Sequence, residues 1–359
     1  METLVARILN TSWSLSVQAA LQISMKKGTN MRMLDGKVAL VTGGGRGIGR
    51  GIALSLAANG AKVVINDLGA GLAGDGIDAG PAQEAQSAIH AIGGEAVING
   101  GSVADYSAAQ QMVEQAVDTF GRLDIVVHAA GVLRDRMIFN MTEEEWDVVV
   151  AVHLKGLFNI LRPATALMRQ QKGGRIISLA SGSAYGDAGQ PNYSAAKAGI
   201  IGLSYSTANA MSKYGVTSNV VLPTGTTRMI DSKPESQKIF EDTGKWPSEH
   251  AKGTPKDPDN VAPLVSFLAS DRAADVNGQV FHSYGFGYTL VEPPRTLARL
   301  EGDHAWTAED LADAFDKYME PDMQPRPAMP FGRDVDALDA GDWRSIGNGR
   351  RYWARKEEK

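Results

Sequence analysis

The sequence predicts a doubly wound α/β fold on a mostly parallel sheet, followed by a small C-terminal extension. Three observations predict it. Short apolar runs bounded by turn residues alternate with longer segments of helical periodicity from about Lys37 to His282, which is the pattern of successive βαβ units. The first run, Lys37-Val-Ala-Leu-Val41, passes directly into a glycine turn and then an apolar helix ending at Asn59-Gly60. The chain has 359 residues, 43% of them hydrophobic, so it can bury a core of one or two domains.

Composition narrows the function classes. A net charge of -5 and a pI of about 5.7 give no footprint for nucleic acid or an anionic membrane. The absence of cysteine excludes disulfides, thiolate zinc sites and cysteine nucleophiles, and it permits a reducing cytoplasm, the expected location. The six histidines lack HExxH or other ligand spacing, so no metal is expected.

Residues 1–32 form an N-terminal extension ahead of the fold. Its apolar residues, among them Leu4, Ile8, Trp13, Val17 and Leu21, are interrupted by Ser, Thr and Gln and never approach the ~18 apolar residues of a membrane helix. Glu2 offsets Arg7, and Lys26-Lys27 follow the apolar part, the reverse of a secretion signal. An accessory helix or extra upstream sequence is expected.

The turn after the first strand reads Thr42-Gly43-Gly44-Gly45-Arg46-Gly47-Ile48-Gly49. Glycines at a strand-to-helix turn let the backbone approach a pyrophosphate, which then rests on the amides of the helix N-terminus. Asp67 closes the second strand, Lys62-Val-Val-Ile-Asn-Asp67. A carboxylate there accepts hydrogen bonds from the adenosine ribose and repels a 2′-phosphate, so NAD is expected in preference to NADP. Arg46 dissents, since a guanidinium in the glycine loop suits a 2′-phosphate; Asp67 is also able simply to cap the following turn.

A glycine-rich loop from Gly69 to Pro81 leads to a helix over Ala82–Ile92 and a strand near Ala96–Ile98. Ser102-Val103 then falls where the adenine edge would lie. A helix over Ala108–Phe120 precedes the strand Asp124–His128, and Ala129-Ala130-Gly131 lets the chain pass close under a cofactor. Glu143 to Met168 reads as one long helix with Trp146, Val150, His153, Leu157 and Leu161 on its apolar face, kinked at Pro163. On that periodicity His153 is a core residue.

The strand Arg175–Leu179 delivers Ser181 and Ser183 to a loop, twelve and ten residues before Tyr193. Tyr193 and Lys197 stand four apart, hence on one helix face. A phenol of ordinary pKa ~10 serves as acid or base near neutrality only if a cation stabilises its phenolate. That pairing suits hydride transfer, although a bare Tyr-x-x-x-Lys also fits a surface pair on an Ala-rich helix; the surrounding motifs decide.

Taken in order, Thr42-Gly43 to Gly49, Ala129-Ala130-Gly131, Ser181 and Tyr193 to Lys197 resemble the short-chain dehydrogenase/reductase family. Val64–Gly69, Val132–Arg136, Val152–Gly156, Gly189–Ser194 and Pro223 with Arg228-Met229 are similar to its (3R)-hydroxyacyl-CoA dehydrogenase subgroup, found in peroxisomal multifunctional enzymes of type 2. The resemblance runs from about Met33 to Tyr318. It implies that Tyr193 exchanges a proton with the substrate oxygen, that Lys197 lowers its pKa and holds the nicotinamide ribose, and that Ser181 orients the substrate oxygen. The Ser181–Tyr193 spacing is one residue shorter than usual, which leaves Ser183 as a stand-in. His153 occupies the place of an asparagine that anchors a relay water, which makes it a relay candidate beside its core reading. His128-Ala-Ala-Gly replaces Asn-Asn-Ala-Gly and weakens any side-chain role at His128. Pro223-Thr-Gly-Thr-Thr227 resembles the segment contacting the carboxamide, with Thr226 and Thr227 as its candidates.

The resemblance further implies a substrate lid at about 229–260, rich in Pro and Lys (Lys233, Lys238, Lys245, Lys252), whose lysines either meet CoA phosphates or are ordinary surface charge. The dehydrogenase domain is expected over 33–287, closed by a helix Val261–Leu268 and a strand Gln279–His282. A small helical extension follows over 288–318, with Thr307 capping its helix and Asp310 at the third position. Residues 319–359, with four prolines and the aromatics Trp343, Tyr352 and Trp353, read as an arm. The expected protein is a homodimer or homotetramer that oxidises a secondary alcohol reversibly with NAD, its leading substrate a 3-hydroxyacyl-CoA. A free cyclic, steroid or terpenoid alcohol is the second enzymatic reading, and a non-catalytic NAD-binding sensor or scaffold the reading from another class.

Overall fold

The computed structural model describes residues 32–71, 76–231, 234–294, 296–302 and 305–323. The N-terminal extension before residue 32, Lys233 of the lid, and the tail aromatics Trp343, Tyr352 and Trp353 lie outside the described residues.

Eight strands form one sheet: β1 (Val38–Thr42), β2 (Lys62–Asn66), β3 (Ala96–Asn99), β4 (Ile125–His128), β5 (Gly174–Leu179), β6 (Val216–Pro223), β7 (Val280–Tyr284) and β8 (Gly287–Val291). Their order is β3-β2-β1-β4-β5-β6-β7-β8. All pairings are parallel except the last, where β8 returns antiparallel on β7. The chain reverses direction across the sheet between β1 and β4, and the crevice at such a switch point is where this architecture places ligands. β1 is buried at all five positions, as expected of a strand covered on both faces.

The connecting helices are α1 (Gly47–Ala58), α2 (Gly80–Ala91), α3 (Tyr106–Phe120), α4 (Glu143–Val150), α5 (Gly156–Gln171) and α6 (Pro191–Met211). Then come α7 (Arg228–Asp231), α8 (Pro234–Thr243), α9 (Pro247–His250), α10 (Ala262–Leu268) and α11 (Ala308–Tyr318). Local chemistry sets several boundaries. Asp105 accepts from Ala108 N at 2.6 Å to start α3, and Gly121 at φ 82° ends it. Thr142 and Glu145 form a reciprocal capping box at α4, with Arg136 Nε on both Glu145 oxygens at 2.8 Å. Ile52, Leu56, Ile65, Ile89, Val127, Val221 and Val265 are fully buried in one core beneath α1, α2 and α10.

The predicted single helix from Glu143 to Met168 is instead two helices joined by a π turn over Ala151–Lys155. The break in register falls there, not at Pro163, which sits inside α5. Trp146, expected in the core, is exposed, Val150 is half-buried, and the buried stripe begins at Val149.

The chain divides into two compact units. The first comprises residues up to Ala184 and Ala188–Val291; the second holds Tyr185–Asp187 and the chain from Glu292 onward. Tyr288, Thr289 and Leu290, read from sequence with the extension, lie in β8 of the first unit. In the second unit Thr307 caps α11 through Asp310 N at 3.1 Å. Among the described residues, no helix is long and apolar enough to cross a membrane.

Candidate active site

The glycine turn forms a cradle that side chains would fill. Gly43 has φ +65°, and a Cβ there would come within 2.8 Å of Ala130 N. A Cβ on Gly49 would run into the Gly43 carbonyl, and one on Gly45 would lie 2.7 Å from Asp67 Oδ2. Arg46 is the N-cap of α1 but supplies no side-chain cap, so the first amides of α1 stay directed at the crevice. Gly47 begins α1 at φ +51°, with Thr227 Cγ2 3.3 Å from where its Cβ would be. Ile48 packs half-buried on the core. The cradle fits the pyrophosphate of a dinucleotide on these grounds.

Asp67 follows β2 and accepts from Gly45 N at 2.8 Å and from Gly69 N at 2.7 Å. It therefore does cap the following turn, while keeping its charge at the edge expected to meet the ribose. Arg46 reaches Ala70 O at 3.4 Å and Asp78 Oδ2 at 3.2 Å. Ser102 Oγ turns inward to accept from Ala104 N at 3.3 Å. Val103 is buried, its carbonyl accepting from Asn159 Nδ2 at 2.9 Å. Ala129 N, like Ala130 N, donates to Thr42 Oγ1 at 3.2 Å. Pro223 ends β6, and Thr226 N donates to Lys256 O at 2.8 Å.

Ser181, Tyr193, Lys197 and His153 converge at the carboxyl end of β5. Tyr193 and Lys197 lie in the first turns of α6. Ser181 is the side-chain partner that draws the Tyr193 phenol toward ionisation. Ser183 Oγ instead donates to Gln190 Oε1 at 3.2 Å, and Gln190 Nε2 donates to Asp135 Oδ2 at 2.7 Å, so the serine beside Tyr193 is Ser181. Lys197 is 5% exposed and donates to Leu179 O at 2.7 Å; its Nζ stands 5.3 Å from the centre of the Tyr193 ring. Burial pushes the Tyr193 phenol up to about 12, opposed by the Ser181 hydrogen bond and reinforced by the Asp135 charge. Burial also pushes the Lys197 ammonium down to about 7. In this arrangement burial makes the phenol harder to ionise than a free tyrosine.

His153 is both things the sequence allowed: a buried residue and a neighbour of the phenol. It is 2% exposed, and its ring meets Tyr193 edge-on at 5.1 Å. Nε2 accepts from Val132 N at 3.2 Å and lies 2.9 Å from Val132 O. Nδ1 is buried with no hydrogen-bond partner among the described residues. Burial and the nearby Lys197 charge hold the imidazole well below its ordinary pKa, so it is neutral at pH 7.

Three further neighbours complete the site, two of them with no role read from the sequence. His128 bonds Thr42 Oγ1 through Nδ1 at 3.0 Å and His153 O through Nε2 at 3.1 Å, which gives its side chain the role that the motif comparison had discounted. Asn192 is fully buried, donates to Arg134 O at 3.0 Å and Glu145 O at 2.8 Å, and accepts from Tyr193 N at 2.7 Å, so it fixes the start of α6. Asp135 sets the charge near the phenol. The only signal for either was membership of Val132–Arg136 and Gly189–Ser194, stretches quoted for subgroup similarity.

A family profile described as "Enoyl-(Acyl carrier protein) reductase" matches residues 43–289. The chain is 41% identical over 302 residues to the hydroxyacyl-CoA dehydrogenase ChsB1 of Mycobacterium tuberculosis, covering 81% of this chain and 90% of that protein. It is 37% identical over 286 residues to the peroxisomal multifunctional enzyme type 2 of Mus musculus, covering 79% of this chain but 36% of that enzyme. It thus spans about a third of that longer relative. Among solved structures, a short chain dehydrogenase from Mycobacterium avium matches with a TM-score of 0.70 and 40% identity, covering 82% of this chain and 98% of that one.

Proposed function

This chain belongs to the short-chain dehydrogenase/reductase family, and from that premise we propose that it interconverts a 3-hydroxyacyl-CoA and the 3-oxoacyl-CoA, with NAD as hydride carrier. The membership makes it an oxidoreductase acting on a CH–OH group with a nicotinamide cofactor. The observation carrying the reading is the convergence of Ser181, Tyr193 and Lys197 at the carboxyl end of β5, beside a glycine turn in which a Cβ at Gly43, Gly45 or Gly49 would clash.

A nicotinamide held in this crevice would supply the acceptor for the hydride from the carbinol carbon. The protein's part is proton management. In oxidation the Tyr193 phenolate takes the hydroxyl proton while Ser181 donates to the same substrate oxygen; in reduction the phenol returns it. Lys197, held by the Leu179 carbonyl below the ring, stabilises the phenolate electrostatically and carries the nicotinamide ribose. The neutral imidazole of His153, edge-on to the Tyr193 ring, is the relay group. The cradle Gly43, Arg46, Gly47, Ile48 and Gly49 would hold the pyrophosphate, Ser102, Val103, Ala129 and Gly131 would line the rest of the dinucleotide, and Pro223, Thr226 and Thr227 would meet the carboxamide. The Asp67 carboxylate favours NAD, because a 2′-phosphate would be repelled there.

The thioester substrate is supported by similarity to proteins named for hydroxyacyl-CoA dehydrogenation and peroxisomal multifunctional activity, and by exposed Lys238 and Lys245 on and just after α8. A homodimer or homotetramer is supported by the exposed Trp146 and Phe158 on α4 and α5; a cytoplasmic setting is supported by the cysteine-free composition.

The test is NAD reduction followed by absorbance, comparing 3-hydroxyacyl-CoA thioesters with free secondary alcohols, and NAD with NADP. Turnover of the thioesters with NAD supports the reading. Turnover of free alcohols alone would remove the CoA substrate and leave the dehydrogenase.

A further inference from the structure

We propose that Arg228, on the first turn of the lid, works with Arg46 as a two-guanidinium clamp on a phosphate group of the nucleotide cofactor. The proposal rests on the nicotinamide reading above and assigns Arg228, for which no role of its own was read from the sequence, a binding role.

The geometry comes from two sides of the crevice. Arg228 donates from Nη2 to Ala70 O at 3.0 Å, and Arg46 donates from Nη1 to the same oxygen at 3.4 Å. Two guanidinium groups therefore share one neutral acceptor. Each carries five N–H donors in a planar fork, and one carbonyl oxygen has only two lone pairs, so the donor supply far exceeds what Ala70 accepts. Burial first, and then the Arg46 charge, loosen the proton on Arg228, with Asp67 opposing.

The nearby carboxylates do not resolve the excess. Asp78 pairs with Arg46 at 3.2 Å and is itself 59% exposed. Both oxygens of Asp67 accept backbone amides, from Gly45 and Gly69. Thr227, the residue before Arg228, packs its Cγ2 3.3 Å from where a Cβ on Gly47 would sit. The start of the lid thus lies against the cradle, with its cation next to the cation of the glycine loop.

A phosphate meets all these conditions. Its oxygens accept from both forks bidentately, and its charge removes the repulsion between the arginines. The shared chemistry comes from two sources, the diphosphate present in every nicotinamide dinucleotide or the 2′-phosphate of NADP alone. A lid residue bound to either one links cofactor loading to the position of α7, because Arg228 is part of that helix.

The test is direct binding to purified full-length protein, measured as dissociation constants for NADH and NADPH by nucleotide fluorescence and for ADP-ribose and adenosine by calorimetry. Arg228→Gln is expected to weaken ADP-ribose about tenfold or more, as loss of a charged hydrogen bond implies, and to leave adenosine unchanged. Arg228→Lys, which keeps the charge but not the fork, is expected to fall between. Equal loss for NADH and NADPH identifies the diphosphate; loss confined to NADPH identifies the 2′-phosphate; either supports the clamp. Unchanged binding of every phosphate-bearing ligand, or an equal loss for adenosine, overturns it and leaves Arg228 as a tether for the Ala70 loop. Wild-type protein that binds no nucleotide would instead sink the nicotinamide reading, and with it this one. Thermal unfolding of each variant separates a binding loss from a folding loss.

Discussion

His153 occupies the space that a side chain at Gly131 would need: a Cβ on Gly131 would lie 3.1 Å from its Nε2 and nearer still to its Cε1. Gly131 is absent from the glycines with positive φ, so its lack of a side chain serves the imidazole and not the backbone angle. Replacing it acts on the phenol through the edge-on contact between His153 and Tyr193.

Gly131→Ala is accordingly expected to displace His153, cost about 1–3 kcal/mol of stability as overpacking does, and lower kcat more than it raises KM. Steady-state kinetics with chemical unfolding checks this. Wild-type kcat in a folded variant would mean that the ring position does not matter.

His153 itself separates packing from relay. His153→Leu fills the same cavity without a proton acceptor, whereas His153→Asn keeps a polar atom. If the imidazole relays protons, the Leu variant loses kcat by about 10²-fold, the scale of general acid–base contributions, and the Asn variant retains most of it. Equal activity in both would leave His153 as core.

Asp135 raises the Tyr193 pKa, so Asp135→Asn removes a negative charge and must lower it. The rise of alcohol oxidation with pH, which follows phenolate formation, is expected to move to lower pH in this variant. A pH profile of kcat/KM reads the shift; a profile moved upward would contradict the assigned charge effect.

Lys197 makes stability depend on pH. Its folded value near 7 lies below the ordinary 10.5, so between those values the unfolded chain binds more protons and stability rises with pH. Tyr193 acts in the opposite sense above 10, since its folded value is about 12. Lys197→Met abolishes the first term. The gain in urea midpoint of this variant over wild type is expected to be largest at or below pH 7 and to shrink toward pH 10; a gain growing with pH would disprove the buried ammonium.

Much of this was legible because local chemistry and tertiary structure agree. The strand–glycine–helix run at Lys37–Gly60 and the Tyr193–Lys197 pair needed no distant residue to be read. The π turn at Ala151–Lys155 was not legible, because the apolar spacing from Trp146 to Leu161 continues across it and the carbonyl at His153 is taken by His128, a residue 25 positions away. Ser181 could not be separated from Ser183 by spacing; what separates them is Gln190, which engages Ser183. β8 was missed because Gly287, Tyr288, Thr289 and Leu290 are all exposed and show no inward alternation. Arg228 passed as one residue of a similar stretch, since its neighbour Arg46 stands 182 positions earlier and meets it only at the Ala70 carbonyl.

The link from Thr42 through His128 to the His153 carbonyl has a consequence for behaviour in acid. Burial pushes His128 down to about 3 from an ordinary 6.5, and His153 is displaced in the same direction. Both therefore favour the folded chain less as pH falls below 6.5, because the unfolded chain takes up protons that these imidazoles refuse. Acidification bears first on the seam joining β1 and β4 to the π turn at Ala151–Lys155. A mildly acidified sample is therefore expected to lose its active centre before the far edge of its sheet comes apart.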